Sequence, residues 1–347
     1  MRLIQLLPFL GLAFAAPSQG PFDRKTFTVA GGHVYSYHFN PPQGDKPTIL
    51  LLHGFPSSLY DWRKTVPDLR AAGYGVIAPD LLGYGETSKP TAVEEYAFSK
   101  VSGHVAEILA HENVKSVIGV GHDIGAVLLS RFWNYYPESL TKLAFLAATY
   151  RPPIPWDVDA MNNSTEQAFG YPIFGYWRFV NETNAPETIL SHHDSFTSLL
   201  YTNIPGMWKT HVGPIGALKK WLGENQIAPK ADYLTDKEYQ AHQAIFAKGG
   251  YTGPTNWYKA AMANIDSPND AKIPDENIVI HKPVLFVAGR NDEVGRPELA
   301  QAGAADGQKS GMLPNVQVKI IEDSVHWMQV QKPKETFELL DSFIKGP

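Results

Sequence analysis

Short apolar runs recur along the chain, with helix-length segments between them. "PTILLLHGFP" carries one over Thr48 to Leu52, and "GYGVIAPD" carries another that ends at Asp80. "KSVIGVGH", "TKLAFLAAT", "KPVLFVAGRND" and "VQVKIIEDSVH" supply four more. Most of these runs lack polar alternation, the pattern of strands covered on both faces by helices, as in a parallel sheet. Ahead of them, "KTFTVAGGHVYSYHF" (residues 25–39) reads as two strands turning at Gly31-Gly32. Helical spacing fills "AFSKVSGHVAEILAHE", and an amphipathic helix, "KETFELLDSFI", closes the chain. The pattern predicts an α/β fold: a mostly parallel eight-stranded sheet with helices on both faces.

This rhythm stops near Arg151 and resumes near residue 276. Residues 151–275 are rich in Pro, Asn, Trp and Tyr. They hold helical patches such as "PETILSHHDSFTSLLYT" and "DKEYQAHQAIFAKGG", and no clear strand. The expected organisation is a sheet domain made of residues 22–150 and 276–347, interrupted after its sixth strand by a helical lid, residues 151–275. In such sheets ligands bind at the carboxyl ends of the strands, the edge this lid would cover.

Composition narrows the picture further. The chain has 347 residues, a formal net charge of -5 and no run of Lys or Arg, which argues against a nucleic-acid partner or an anionic membrane surface. At the start, "MRLIQLLPFLGLAFAAPSQG" has a basic Arg2, an apolar stretch from Leu3 to Phe14, and small residues at Ala13 and Ala15. That is the layout of a signal peptide, assigned to residues 1–16. About a dozen apolar residues fall short of the roughly 20 a membrane-spanning helix needs. Sequons at Asn162, Asn163 and Asn181 fit the same secreted, extracellular reading. The chain has no cysteine, so no disulfide framework is expected.

The candidate chemistry sits where strands end. In "VIGVGHDIGAVLL" (117–129) a buried strand turns sharply into a helix, with Asp123 at the turn between Gly121 and Gly125. Such an elbow usually presents a serine nucleophile, and no G-x-S-x-G occurs in this chain. Asp123 could merely cap the helix. Alternatively, the elbow offers a carboxylate nucleophile at a helix N-terminus. The loop after "LLLHGFP" and the residue after the nucleophile lend oxyanion-hole N–H groups in this architecture, which here means Phe55 and Ile124. Asp292 follows the strand "PVLFVAG", and His326 follows the last strand. The order Asp123, Asp292, His326 matches nucleophile, acid and base in an α/β-hydrolase arrangement.

With those residues in view, the chain resembles the α/β-hydrolase superfamily and, within it, the epoxide hydrolases. "LLHGFPSSLYDWRKTVPDLRAAGYGVIAPDLLGYGETSKP", "GHDIGA", "PVLFVAGRNDEV" and "IEDSVHWMQVQKP" are similar to the family's oxyanion, nucleophile, acid and base segments. In the lid, "FGYWRFVNE" and "NWYKAAM" resemble the segments that carry two epoxide-activating tyrosines, implying Tyr176 and Tyr258. Tyr171 and Tyr251 lie near enough in sequence to be alternatives. Trp177 and Trp257, beside these tyrosines, are expected to contact substrate. Two departures stand out: Ile124 where many relatives have Trp, and Val325 where they usually have Gly.

The resemblance implies a small apolar epoxide and water as reactants, a covalent Asp123 ester, and no metal or cofactor. A carboxylate suits attack on an sp³ carbon because the ester formed can be hydrolysed, whereas a serine ether would be a dead end. A haloalkane or haloacid dehalogenase would use the same Asp-His-Asp machinery, with Trp177 and Trp257 as halide donors. A non-catalytic ligand-binding protein on the same fold is the remaining alternative.

Overall fold

Alternate residues of a strand face opposite sides, and in the third strand this divides the core in two. Leu50 and Leu52 pack into one apolar cluster, while Ile49 and Leu51 pack into another. The computed structural model describes residues 20–346, so the predicted signal segment, residues 1–16, lies outside the described residues. The eight strands are β1 (Arg24–Thr28), β2 (Val34–Asn40), β3 (Thr48–Leu52), β4 (Gly75–Pro79), β5 (Val117–His122), β6 (Leu140–Leu146), β7 (Val284–Gly289) and β8 (Val316–Ile321). They form one sheet in the order β1-β2-β4-β3-β5-β6-β7-β8. Strand β2 runs antiparallel to both its neighbours, and every pairing from β4 to β8 is parallel.

Burial explains which strands are apolar throughout. Every residue of β3, β4, β5 and β7 is buried, whereas the edge strand β8 alternates. Helices Phe98–His111 and Ile124–Tyr135 bury Val101, Val105, Leu128 and Leu129 against one face. Helices Thr65–Ala71 and Pro333–Lys345 bury Val66, Leu69, Leu340 and Phe343 against the other. Each fully buried aliphatic side chain contributes roughly 1.5–3 kcal/mol, so these two layers hold the sheet rigid.

Between β6 and β7 the chain runs through nine helices, from Val158–Phe169 to Ser267–Asp270, with no strand among the described residues there. The insertion has no core of its own: Tyr176, Trp177, Phe196 and Tyr258 belong to the same apolar cluster as Leu50 and Leu128. Its helix starts use local devices, such as the Thr235–Glu238 capping box on Asp236–Gly249. Among the described residues no helix is long and apolar enough to cross a membrane.

Candidate active site

Strand register brings four chain segments to one edge. Leu52 pairs with Gly121, His122 with Leu146, Leu146 with Val287, and Gly289 with Ile321. The loops that leave β3, β5, β7 and β8 therefore emerge side by side, carrying Phe55, Asp123, Asp292 and His326.

Asp123 turns the chain from β5 into the helix Ile124–Tyr135 with φ 53° and ψ -121°. Such a backbone costs an aspartate of order 1–3 kcal/mol and persists only where the surroundings enforce it. The enforcement is close packing. A Cβ on Gly125 would lie 2.4 Å from the carbonyl oxygens of Leu52 and His53. One on Gly54 would lie 2.6 Å from Asp123 Cβ. The Asp123 side chain makes no capping bond into the first helical turn beyond Ile124. Instead, its Oδ1 accepts the Phe55 N–H at 2.9 Å, and the Ile124 N–H also donates to the carboxylate.

His326 stands on the other side of that carboxylate. Its Nδ1 lies 2.9 Å from Asp292 Oδ2, which makes it the protonated nitrogen and leaves Nε2 as the basic one. Nε2 is 3.7 Å from Asp123 Oδ2, beyond a direct hydrogen bond. Asp292 is itself fixed, its Oδ1 accepting the N–H groups of Val294 and Gly295 at 2.8 and 2.9 Å. His122, buried directly below, faces the His326 backbone carbonyl through Nε2 at 3.0 Å.

The charges are tuned by this enclosure. Burial raises the Asp123 carboxyl above its ordinary 3.8, and His326 and the Phe55 and Ile124 N–H groups partly offset that rise. Burial alone would lower His326. Asp292, followed by Asp123 and Asp61, more than reverses this, and its pKa ends above 6.5.

Above Asp123 lies a cavity of about 600 Å³. Tyr176 and Tyr258 both line it, together with Asp123, Trp177, Trp156 and Phe174. Tyr176 opens the short helix Tyr176–Val180, Tyr258 lies on Thr252–Met262, and their rings are 5.9 Å apart. Burial, reinforced by Asp123, raises the Tyr176 phenol far above 10. For Tyr258 burial comes first, then Tyr176 and Asp123. Both therefore carry their protons at any working pH. The two alternative tyrosines point elsewhere. Tyr171 donates to the Glu293 carbonyl at 2.6 Å, and Tyr251 pairs with His193 at 2.8 Å.

One sequence expectation requires correction, and one sequon is buried. Trp257 does not reach the cavity. One residue along a helix is a turn of about 100°, so it faces away from Tyr258 into the core, packs on Tyr96 and Phe98, and donates its indole N–H to Leu82. Asn162 is 3% exposed, and its Oδ1 accepts the Phe174 N–H, so this sequon is closed to a glycan in the folded chain. Asn163 and Asn181 are exposed.

Other residues of the site have no motif to announce them. The Glu293 carboxylate accepts the N–H groups of Gly206, Trp208 and Lys209, tying the loop after β7 to the insertion. Tyr201 and His242, both in the insertion, bind the Pro56 carbonyl, each at 3.0 Å, just beyond Phe55. These contacts join segments 84 to 186 residues apart, and no local pattern encodes them.

The chain is 30% identical over 305 residues to the bifunctional epoxide hydrolase 2 of Rattus norvegicus, covering 87% of this chain and 52% of that protein. It thus spans about half the length of that relative. It is 27% identical over 325 residues to epoxide hydrolase srdG of Neurospora crassa, covering 89% of this chain and 92% of the relative. The crystal structure of epoxide hydrolase VrEH1 from Vigna radiata superimposes with a TM-score of 0.75 at 24% identity, over 93% of this chain and 98% of that one. The family model for the alpha/beta hydrolase fold matches residues 47–333. That span takes in β3 to β8 and the whole insertion, and the chain accordingly belongs to the α/β-hydrolase fold family.

Proposed function

We propose that the chain hydrolyses epoxides to vicinal diols through a covalent ester on Asp123. The observation that carries this reading is the Asp123 carboxylate facing Tyr176 and Tyr258 across one cavity. Asp123 Oδ2 attacks a ring carbon from behind, the ring C–O bond breaks, and the departing oxygen takes a proton from a tyrosine. An alkoxide is a strong base, so a phenol of high pKa still gives up its proton downhill. His326, oriented by Asp292, then takes a proton from water that attacks the ester carbonyl. The Phe55 and Ile124 N–H groups stabilise the oxyanion formed at Oδ1, an effect typically worth about 3–4 kcal/mol. Collapse expels the diol oxygen as an alkoxide, which takes the proton of the carboxylic acid formed at Asp123, and the proton held by His326 restores the tyrosine. The names borne by the relatives support the same activity.

A single turnover in ¹⁸O-water tests the route. The first label should enter the Asp123 carboxylate, and label appearing directly in the diol would refute the ester. Dehalogenation is the second reading, favoured by the Trp177 indole on the cavity wall. Halide release from a haloalkane, without diol formation from any epoxide, would establish it instead.

Within the same proposal, residues 151–275 act as the lid that keeps bulk water from the ester, Trp177 contacts the substrate, and residues 1–16 direct secretion. Exposed Asn163 and Asn181 support the last point. Secreted product that retains residues 1–16 would overturn it.

A further inference from the structure

We propose, on the basis of the epoxide-hydrolase reading above, that the site accepts epoxides with a large substituent on one ring carbon only. Backside displacement needs the Asp123 oxygen, the attacked carbon and the departing oxygen in line, with that oxygen at Tyr176 and Tyr258. The substituents of the two ring carbons then leave this line toward opposite sides. The two sides differ sharply in size.

On one side lies the cavity of about 600 Å³, bounded by Trp156, Met161, Phe174, Trp177 and Leu299. That is within the range that encloses a drug-sized ligand. A second cavity, which shares only Asp123, Tyr176 and Val294 with the first and also touches His326, measures about 10 Å³. A space that small holds roughly one water molecule. Beside His326 it suits the water that attacks the ester, and it leaves no room for a carbon chain.

The wall that closes this side is built and held. It consists of Phe196, Leu200, Trp208, Val212 and Leu218, all buried. Trp208 donates its indole N–H to the Leu199 carbonyl at 2.9 Å. Glu293 binds three backbone N–H groups of one turn here, those of Gly206, Trp208 and Lys209 at 2.6, 2.9 and 2.9 Å. Its neighbour Asp292 binds His326, so the closed wall and the catalytic base hang from one loop. Pushing the wall outward would break these bonds, and a close-packed interior does not yield to an extra chain without strain.

The test compares the epoxides of 1-octene and of cis- and trans-4-octene, which have the same atoms and differ in where the ring lies. For the full chain, kcat/KM should favour the terminal epoxide by ~100-fold. A preference below ~10-fold overturns the proposal while leaving epoxide hydrolysis intact. Turnover of none of the three overturns the functional reading itself. Leu218→Ala and Val212→Ala remove wall volume, and either should raise the ratio of internal to terminal kcat/KM by ~10-fold. The change in that ratio is insensitive to partial loss of folded protein and to the intrinsic reactivity of the two epoxide classes. An unchanged ratio in both folded variants would show that the wall does not set the preference and would overturn the proposal. If neither variant folds, the comparison in the unaltered chain decides alone.

Discussion

The Phe55 N–H donates to Oδ1 of Asp123 at 2.9 Å. On the proposed route this donor is aimed at the oxygen that becomes the ester carbonyl, and Oδ2 is left to attack. Preorganisation of this kind requires no rearrangement at the moment of reaction. Asp123→Asn keeps the shape and removes the nucleophile. Steady-state turnover of a terminal epoxide should fall by about 10⁵-fold or more, with the circular dichroism spectrum unchanged. Activity within tenfold of the parent would reduce Asp123 to an element of the turn.

The two half-reactions should separate with pH. Burial raises Asp123 above 3.8, so ester formation is lost as pH falls through that raised value. His326 must be neutral to accept a proton from water, and Asp292, whose charge persists in the ester, raises its pKa against the lowering effect of burial. Ester hydrolysis therefore rises with pH as His326 gives up its proton. Between the two limits the ester should accumulate, seen as added mass on the peptide carrying Asp123 in quenched samples. His326→Gln is the extreme case: one equivalent of ester forms and turnover falls by about 10²–10⁴-fold. A variant that keeps full turnover would exclude His326 as the base.

Tyr176→Phe and Tyr258→Phe remove only the hydroxyls and retain the ring contacts with Trp177. Each should slow ester formation from an epoxide, and together they should cost about 10²–10⁴-fold, measured in the pre-steady state. Hydrolysis of an ester already formed should be spared. If the double variant opens epoxides at the parent rate, the proton comes from elsewhere.

How much of this was legible in the sequence depended on how local each signal is. β3 matches the expected Thr48 to Leu52 because an apolar run bounded by a Gly/Pro loop is a local pattern. The elbow at Asp123 and the post-strand positions of Asp292 and His326 were legible for the same reason. The strand order, with β4 outside β3, is a matter of long-range pairing and is written nowhere in a window of residues. Trp257 was misread because adjacency in sequence to Tyr258 is not adjacency on a helix. The burial of Asn162 was not legible, because a sequon says nothing of burial. Glu293, one residue from Asp292, had no signature, since its partners lie 84 to 87 residues away.

Tyr201 links the insertion to the oxyanion loop, and its hydroxyl can be removed with a signed prediction. It donates toward the Pro56 carbonyl at 3.0 Å and toward Asp61 Oδ2 at 3.1 Å. Asp61 is 2% exposed, and Ser57 Oγ is its other hydroxyl donor at 2.8 Å. Burial raises the Asp61 carboxyl above 3.8, with Arg63, Ser57 and Tyr201 opposing the rise. A raised acid is favoured protonated in the fold, so the stability it lends is present in acid and lost as pH rises through the raised value. Tyr201→Phe keeps the stack on Trp327, whose ring is 4.4 Å away and nearly parallel. It removes a donor that favours the ionised carboxylate and pushes Asp61 higher still. The variant should lose about 1–3 kcal/mol in urea unfolding at pH 7, the cost of a buried charge left short of a partner. The loss should shrink toward pH 4, where more of Asp61 is protonated. A loss that is the same at both pH values would mean that the Tyr201 hydroxyl acts on the Pro56 carbonyl alone.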